Sequence, residues 1–119
     1  MNTLNQIAHS VHANAAIHGF HPPEEPIRQF MANQIGNLHG EVSELWDAWR
    51  AGKENEPCDK AAKMAELGIL PLSCTEEELA DIIIRALDLS ARLGIDIDAA
   101  VKAKHQYNIQ REFKHGKKC

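Results

Sequence analysis

Apolar residues recur at helical spacing in four segments of the chain, which predicts four main helices. The first runs from about Thr3 to His18, where Thr3 and Gln6 have capping-box spacing and Gly19 supplies a stop. "GFHPPEEP" is a turn, because each proline restricts the residue before it. From Pro26 to Ala51 the pattern is a long helix, with Pro26 in the first turn, Gly52 at the end, and Met31, Ile35, Leu38, Val42, Leu45 and Trp49 as its apolar stripe. Gly36 and Gly40 inside it each cost about 1 kcal/mol against alanine, and mark a close helix contact or a bend. The polar middle, "KENEPCDKAAKMAELGILPLSC", holds one short helix from Asp59 to Leu67. Next comes "TEEELADIIIRALDLSARLG", opened by a capping box from Thr75 to Glu78 and closed by Gly94. Asp96 then caps a last helix from about Ile97 to Glu112, and the tail frays from about residue 113.

The expected architecture is therefore all-α: one domain over residues 1–119, a compact bundle of four main helices plus a short extra one. The helix after Thr75 is apolar around most of its circumference, which ordinarily means burial. So short a chain can hardly cover Ile82, Ile83, Ile84 and Leu87 on every side with its own helices, which predicts a homo-oligomer.

Glu78, Asp81, Arg85 and Asp88 form the one polar stripe of that helix, about 80° wide at ideal helical geometry, so it must be buried or line a cleft. A second acidic pair, Glu41 and Glu44, stands in "HGEVSELWDAW" on the long helix. Residues three apart share a face, so each pair repels itself unless something positive lies between its members. Two such pairs on antiparallel neighbours make an all-oxygen site, which suits a hard cation such as Mg²⁺. The di-iron bundle pattern needs Glu-x-x-His on two helices, and here it occurs once, at Glu112 and His115 in the tail.

Plainer explanations stand beside these. Glu78 is also the third residue after a Thr cap, and a solvated face accounts for Glu41 and Glu44 nearly as well. Arg85 can pair with Asp81 one turn back, with Asp88 holding Arg85 in place; Asp88 is either a ligand or a support for one. Asp81 is harder to dismiss, flanked as it is by Leu79, Ile82, Ile83 and Ile84. The spacings of His9 with His12 and of His18 with His21 are those of any histidine-rich segment.

Charge and cysteine usage narrow the field. A net charge of −4 and a pI near 5.9 lack the electrostatic footprint of a nucleic-acid binder, and Lys114, Lys117 and Lys118 are a solvated terminus. Cys58, Cys74 and Cys119 show no CxxC spacing, so neither a zinc knuckle nor a disulfide framework is expected and a reducing cytoplasm is the simplest location. The start "MNTLNQIAHS" is no leader, and no apolar run reaches the length of a membrane span.

Taken in order, "EVSE" (Glu41 to Glu44), a spacer, and "ELAD" (Glu78 to Asp81) leading into "IIIRALDLSARLGIDIDAAVKAKHQYNIQR" resemble the ExxE…ExxD signature of the MazG-like, all-α nucleoside triphosphate pyrophosphohydrolases. The resemblance covers about Gln34 to Arg111. It implies a homodimer or homotetramer that cleaves a (deoxy)nucleoside triphosphate between the α and β phosphates, in a nucleotide-pool house-cleaning role. It also implies Glu41, Glu44, Glu78 and Asp81 as ligands of Mg²⁺, with Mn²⁺ as a substitute, and Lys104, Asn108 and Arg111 of the "KxxxNxxR" run as phosphate contacts. Those three lie on one helix face at i, i+4 and i+7, although a solvated C-terminal face explains them too. Glu41 or Glu44 would orient the attacking water. The short middle segment with Pro57 and Pro71 departs from the family pattern, in which Lys60 and Lys63 would otherwise be candidates.

Trp46 and Trp49, beside the acidic pair, are candidates to stack on the base, and Asn14, His18 and Phe20 could close that pocket from the first helix. A tryptophan at helical spacing is as readily a core residue. Two alternative functions stay open on the residues: a non-catalytic helical interaction module whose acidic stripe meets a basic partner, and a pyrophosphohydrolase of phosphoribosyl nucleotides.

Overall fold

A computed structural model describes residues 2–21 and 26–111. The described residues are all-helical: α1 (Leu4–Ile17), α2 (Ile27–Arg50), α3 (Ala61–Glu66), α4 (Cys74–Arg92) and α5 (Ile97–Ile109). The four main helices and the short extra one thus form as their patterns predict. The tail expected to fray, with Glu112 and His115, lies outside the described residues, as does half of the proline turn.

Local capping explains most boundaries. Thr3 and Gln6 form the expected box, Gln6 N–H donating to Thr3 Oγ1 at 3.1 Å and Thr3 N–H to Gln6 Oε1 at 2.8 Å. Asp96 caps α5 by accepting from Ala99 N–H at 3.1 Å. Gly94, at φ +67, closes α4, in the left-handed region where a side chain is strained. At the start of α4 the structure corrects the sequence reading. The box is Ser73 with Glu76, not Thr75 with Glu78, so the helix begins at Cys74. Thr75 instead donates its hydroxyl to the Glu54 carbonyl at 2.8 Å, pinning the middle segment to α4. Glu78 therefore has no capping duty.

Helix α4 is the centre, with α1 and α2 both packed antiparallel to it. On the α1 side Asn5 meets Asp96 and His12 meets Asp88; on the α2 side the Arg92 guanidinium covers the Phe30 ring at 5.0 Å and Arg85 meets Glu41. Helix α5 packs on the start of α1, where the Asp98 carboxylate accepts from the Leu4 and Asn5 amides at 3.1 and 3.0 Å. A negative charge at a helix N-terminus is favourable, and here it ties the start of α5 to the start of α1.

The buried apolar side chains among the described residues are few: Ala8, Phe30, Cys58, Ala61 and Leu87. On α2 the packed face carries Phe30, Gln34 and Glu41 together with only one side of the apolar stripe expected from the sequence. Ile35, Val42 and Trp49 of that stripe are 43%, 48% and 52% exposed, while Met31, Leu38 and Leu45 are half-buried. The open space beside Gly36 and Gly40 likewise shows no close helix approach within this chain. Leu79, Ile83 and Ile84 of α4 are also exposed.

Candidate functional site

The antiparallel pairing of α2 with α4 brings the two acidic motifs together. Ligand oxygens of Glu41, Glu44 and Glu78 all lie within 4.8 Å of one another. Asp81 follows one turn after Glu78 and lines a pocket with Glu41. The polar stripe of α4 thus lines a cleft, as its surroundings require.

Three carboxylates so close carry an electrostatic cost that can be read residue by residue. Glu78 is pushed up to about 7, first by burial, then by its hydrogen bond to Glu44 and the charges of Glu44, Glu77 and Asp81. Burial raises Asp81 as well, followed by the charges of Glu41 and Glu77, with Lys60 and Arg85 pulling the other way. Lys60 pairs with Glu77, and that hydrogen bond holds its ammonium above the ordinary lysine range. Lys63 pairs with Glu66 at 3.4 Å.

Glu41 is fixed from the far side. Its Oε1 accepts from Arg85 Nε at 2.8 Å. Arg85 therefore bonds across helices to Glu41, rather than to Asp81 or Asp88 on its own helix. Glu41 Oε2 and Glu78 Oε2 are both buried and meet no hydrogen-bond donor. An all-oxygen donor set with unsatisfied buried lone pairs fits a hard divalent cation.

The pocket lies between α1, α2 and α4 and has a volume of about 510 Å³. Glu41, Asp81, Arg85 and Asp88 give it a charged wall. Asn14, His18 and Phe20 line the same pocket together with Ser10 and Val11. His18 donates from Nδ1 to the Asn14 carbonyl at 2.8 Å, which sets its tautomer.

Other candidates stand apart. Trp46 and Trp49 are 60% and 52% exposed and do not line this pocket; neither do they form a core within this chain. Trp46 lies beneath the Arg50 guanidinium at 6.0 Å. Lys104 and Asn108 line a separate, shallow depression of about 310 Å³ with Val101 and His105. Lys104 and Arg111 flank the Tyr107 ring at 5.0 and 5.6 Å. Because α5 packs on α1, its "KxxxNxxR" face is not brought to the carboxylate pocket of this chain.

Sequence reasoning did not find the fate of Asp88. It is buried, accepting from His12 Nδ1 at 2.7 Å and from His21 Nε2 at 2.9 and 2.8 Å on its two oxygens. The two imidazoles lie 4.8 Å apart, and His21 rests against Phe30 at 4.9 Å. This cluster joins α1, the turn after it and α4, and through Asp88 it forms part of the pocket wall. The usable signal was a lone aspartate among Leu87, Leu89 and Ala91 with histidines elsewhere to answer it; which ones required the fold. No family model, curated protein or solved structure matches this chain.

Proposed function

We propose that this protein hydrolyses (deoxy)nucleoside triphosphates to the monophosphate and pyrophosphate, using Mg²⁺ held by Glu41, Glu44, Glu78 and Asp81. The observation that carries the reading is the convergence of Glu41, Glu44 and Glu78 within 4.8 Å, with two buried unsatisfied oxygens, beside a pocket of about 510 Å³. No purely structural need explains carboxylates gathered at such electrostatic cost. The resemblance of "EVSE" and "ELAD" to the MazG-like signature supports the same reaction.

Bound cation would supply charge neutralisation for the phosphates and an acidified water, which is most of what phosphoryl transfer requires. The protein's part is positioning. Arg85 pins Glu41 on one oxygen and Glu44 is hydrogen-bonded to Glu78, so Glu41 and Glu44 are both candidates to orient the attacking water. Asn14, His18 and Phe20 offer amide, imidazole and ring contacts to the base. The free thiols Cys58 and Cys74 are consistent with work in a reducing cytoplasm. Among the described residues no helix is long and apolar enough to cross a membrane. Exposed Trp46, Trp49, Leu79 and Ile83 favour assembly as a homodimer or homotetramer.

The test is pyrophosphate release from a panel of ribo- and deoxyribonucleoside triphosphates and phosphoribosyl nucleotides, with Mg²⁺ or EDTA. Wild type releases pyrophosphate only with Mg²⁺, and Asp81→Asn loses it by about 100-fold or more. Release confined to phosphoribosyl nucleotides moves the reaction into that biosynthetic class. No release from any substrate leaves the interaction-module reading, which the exposed apolar residues also favour.

A further inference from the structure

The pocket poses a charge problem. Glu41, Asp81 and Asp88 line it, and a triphosphate would bring about four more negative charges, of which one Mg²⁺ offsets only part. Arg85 is the one lining residue among the described residues with a permanent positive charge. Lys104, placed by sequence for this task, lines a different depression. We propose that Arg85 is the phosphate-binding residue of this pocket, gripping the polyphosphate with its terminal guanidinium nitrogens while Nε stays on Glu41.

The inference rests on the triphosphate reading above, and the geometry supports it at three points. First, the bond to Glu41 uses the Nε proton, and guanidinium carries four more N–H donors on its two terminal nitrogens in a planar fork suited to phosphate. Second, one acidic neighbour in the pocket is already engaged. Asp88, three residues on, has both oxygens accepting from His12 and His21 and does not hold the Arg85 fork. Third, Glu41 links the two functions, with Oε1 on Arg85 and Oε2 buried without a donor beside Glu44 and Glu78. One carboxylate would then set the cation and the guanidinium side by side, against neighbouring phosphates. Along α4, Arg85 stands about 10 Å beyond Glu78, at 1.5 Å per residue, so a polyphosphate lying over Asp81 can reach both.

Binding is measured by calorimetry, using premixed Mg²⁺ complexes of inorganic tripolyphosphate and of α,β-methylene analogues of the four deoxynucleoside triphosphates. Mg²⁺ alone is titrated in parallel, and the fold is checked by thermal unfolding. The expected result is that Arg85→Gln loses about 10-fold or more in affinity for tripolyphosphate and analogues alike, with binding of Mg²⁺ alone retained. Arg85→Lys keeps the charge but not the fork, and recovers part of that loss; should Arg85→Gln fail to fold, a several-fold loss in Arg85→Lys carries the test. Wild-type affinity in either folded variant overturns the assignment while leaving the triphosphate reading intact. A parallel loss of binding of Mg²⁺ alone also overturns it, reducing Arg85 to a prop for Glu41. Failure of wild type to bind any of the complexes overturns the triphosphate reading itself, and this inference with it.

Discussion

Replacing Glu78 with glutamine should make the metal-free protein more stable, and the gain should depend on pH in a defined way. Glu78 is pushed from an ordinary carboxylate value of 4.5 to about 7 by burial and by Glu44. Its folded-state pKa lies above its unfolded value, so the native chain holds a proton that the unfolded chain releases between about pH 4.5 and 7. Stability therefore falls as pH rises through that window, and the loss is complete above it. At about 1.4 kcal/mol per pH unit the full shift would be about 3 kcal/mol at pH 8; solvent screening and the sharing of the proton with Glu44 reduce it to about 1–2 kcal/mol, with almost nothing at pH 4. Glutamine keeps the shape and a hydrogen bond to Glu44 without the charge, so Glu78→Gln should gain about 1–2 kcal/mol at pH 8. For a chain of this length 1 kcal/mol is worth about 4 °C, which makes the expected rise in Tm about 4–8 °C. Thermal unfolding by circular dichroism at pH 4 and pH 8, with EDTA and with excess Mg²⁺, reads all of this. Mg²⁺ should close the gap at pH 8 by stabilising wild type more than the variant. A variant less stable than wild type at pH 8, or a gap equal at both pH values, would refute the account of Glu78 as a carboxylate held in an unfavourable acidic cluster.

Other substitutions probe the frame around the site. Asp88→Ala strands His12 Nδ1 and His21 Nε2 and should cost about 2–4 kcal/mol in urea denaturation; a loss below about 0.5 kcal/mol would remove the cluster from the account of the pocket wall. Ser73→Ala should destabilise by about 1 kcal/mol through loss of the α4 cap. Thr75→Ala should instead loosen the middle segment, seen as faster amide exchange around Glu54 and Glu56. Gly36→Ala and Gly40→Ala, with open space beside each, should each stabilise the chain by about 0.5–1 kcal/mol. Sedimentation of the same two variants tests whether that face of α2 lies between copies, since added methyl groups there would weaken association.

The helices themselves were legible in one dimension because their causes are local. Thr3 with Gln6, Asp96 before α5, and Gly19, Gly52 and Gly94 after their helices act within a few residues of themselves, and the apolar spacing between them needs no partner. Even the misplaced cap of α4, Ser73 rather than Thr75, was a choice between two nearby candidates that the middle segment decides by occupying Thr75. The pairing of Glu41 and Glu44 with Glu78 and Asp81 was likewise readable as two motifs of one kind.

What meets what across helices belonged to the tertiary structure alone. Met31 to Trp49 make the better apolar stripe on α2, yet only Met31, Leu38 and Leu45 of it are half-buried and Phe30, Gln34 and Glu41 share the packed face, because α4 presents a polar stripe that must be answered by polar partners. Arg85 could have paired within its helix, and its bond to Glu41 follows from the register of α2 on α4. Asp88 finds histidines 76 and 67 residues away in sequence, a pairing that no periodicity encodes. Periodicity constrains one helix at a time, whereas a site built between helices depends on their relative rotation, which the burial of the whole chain decides.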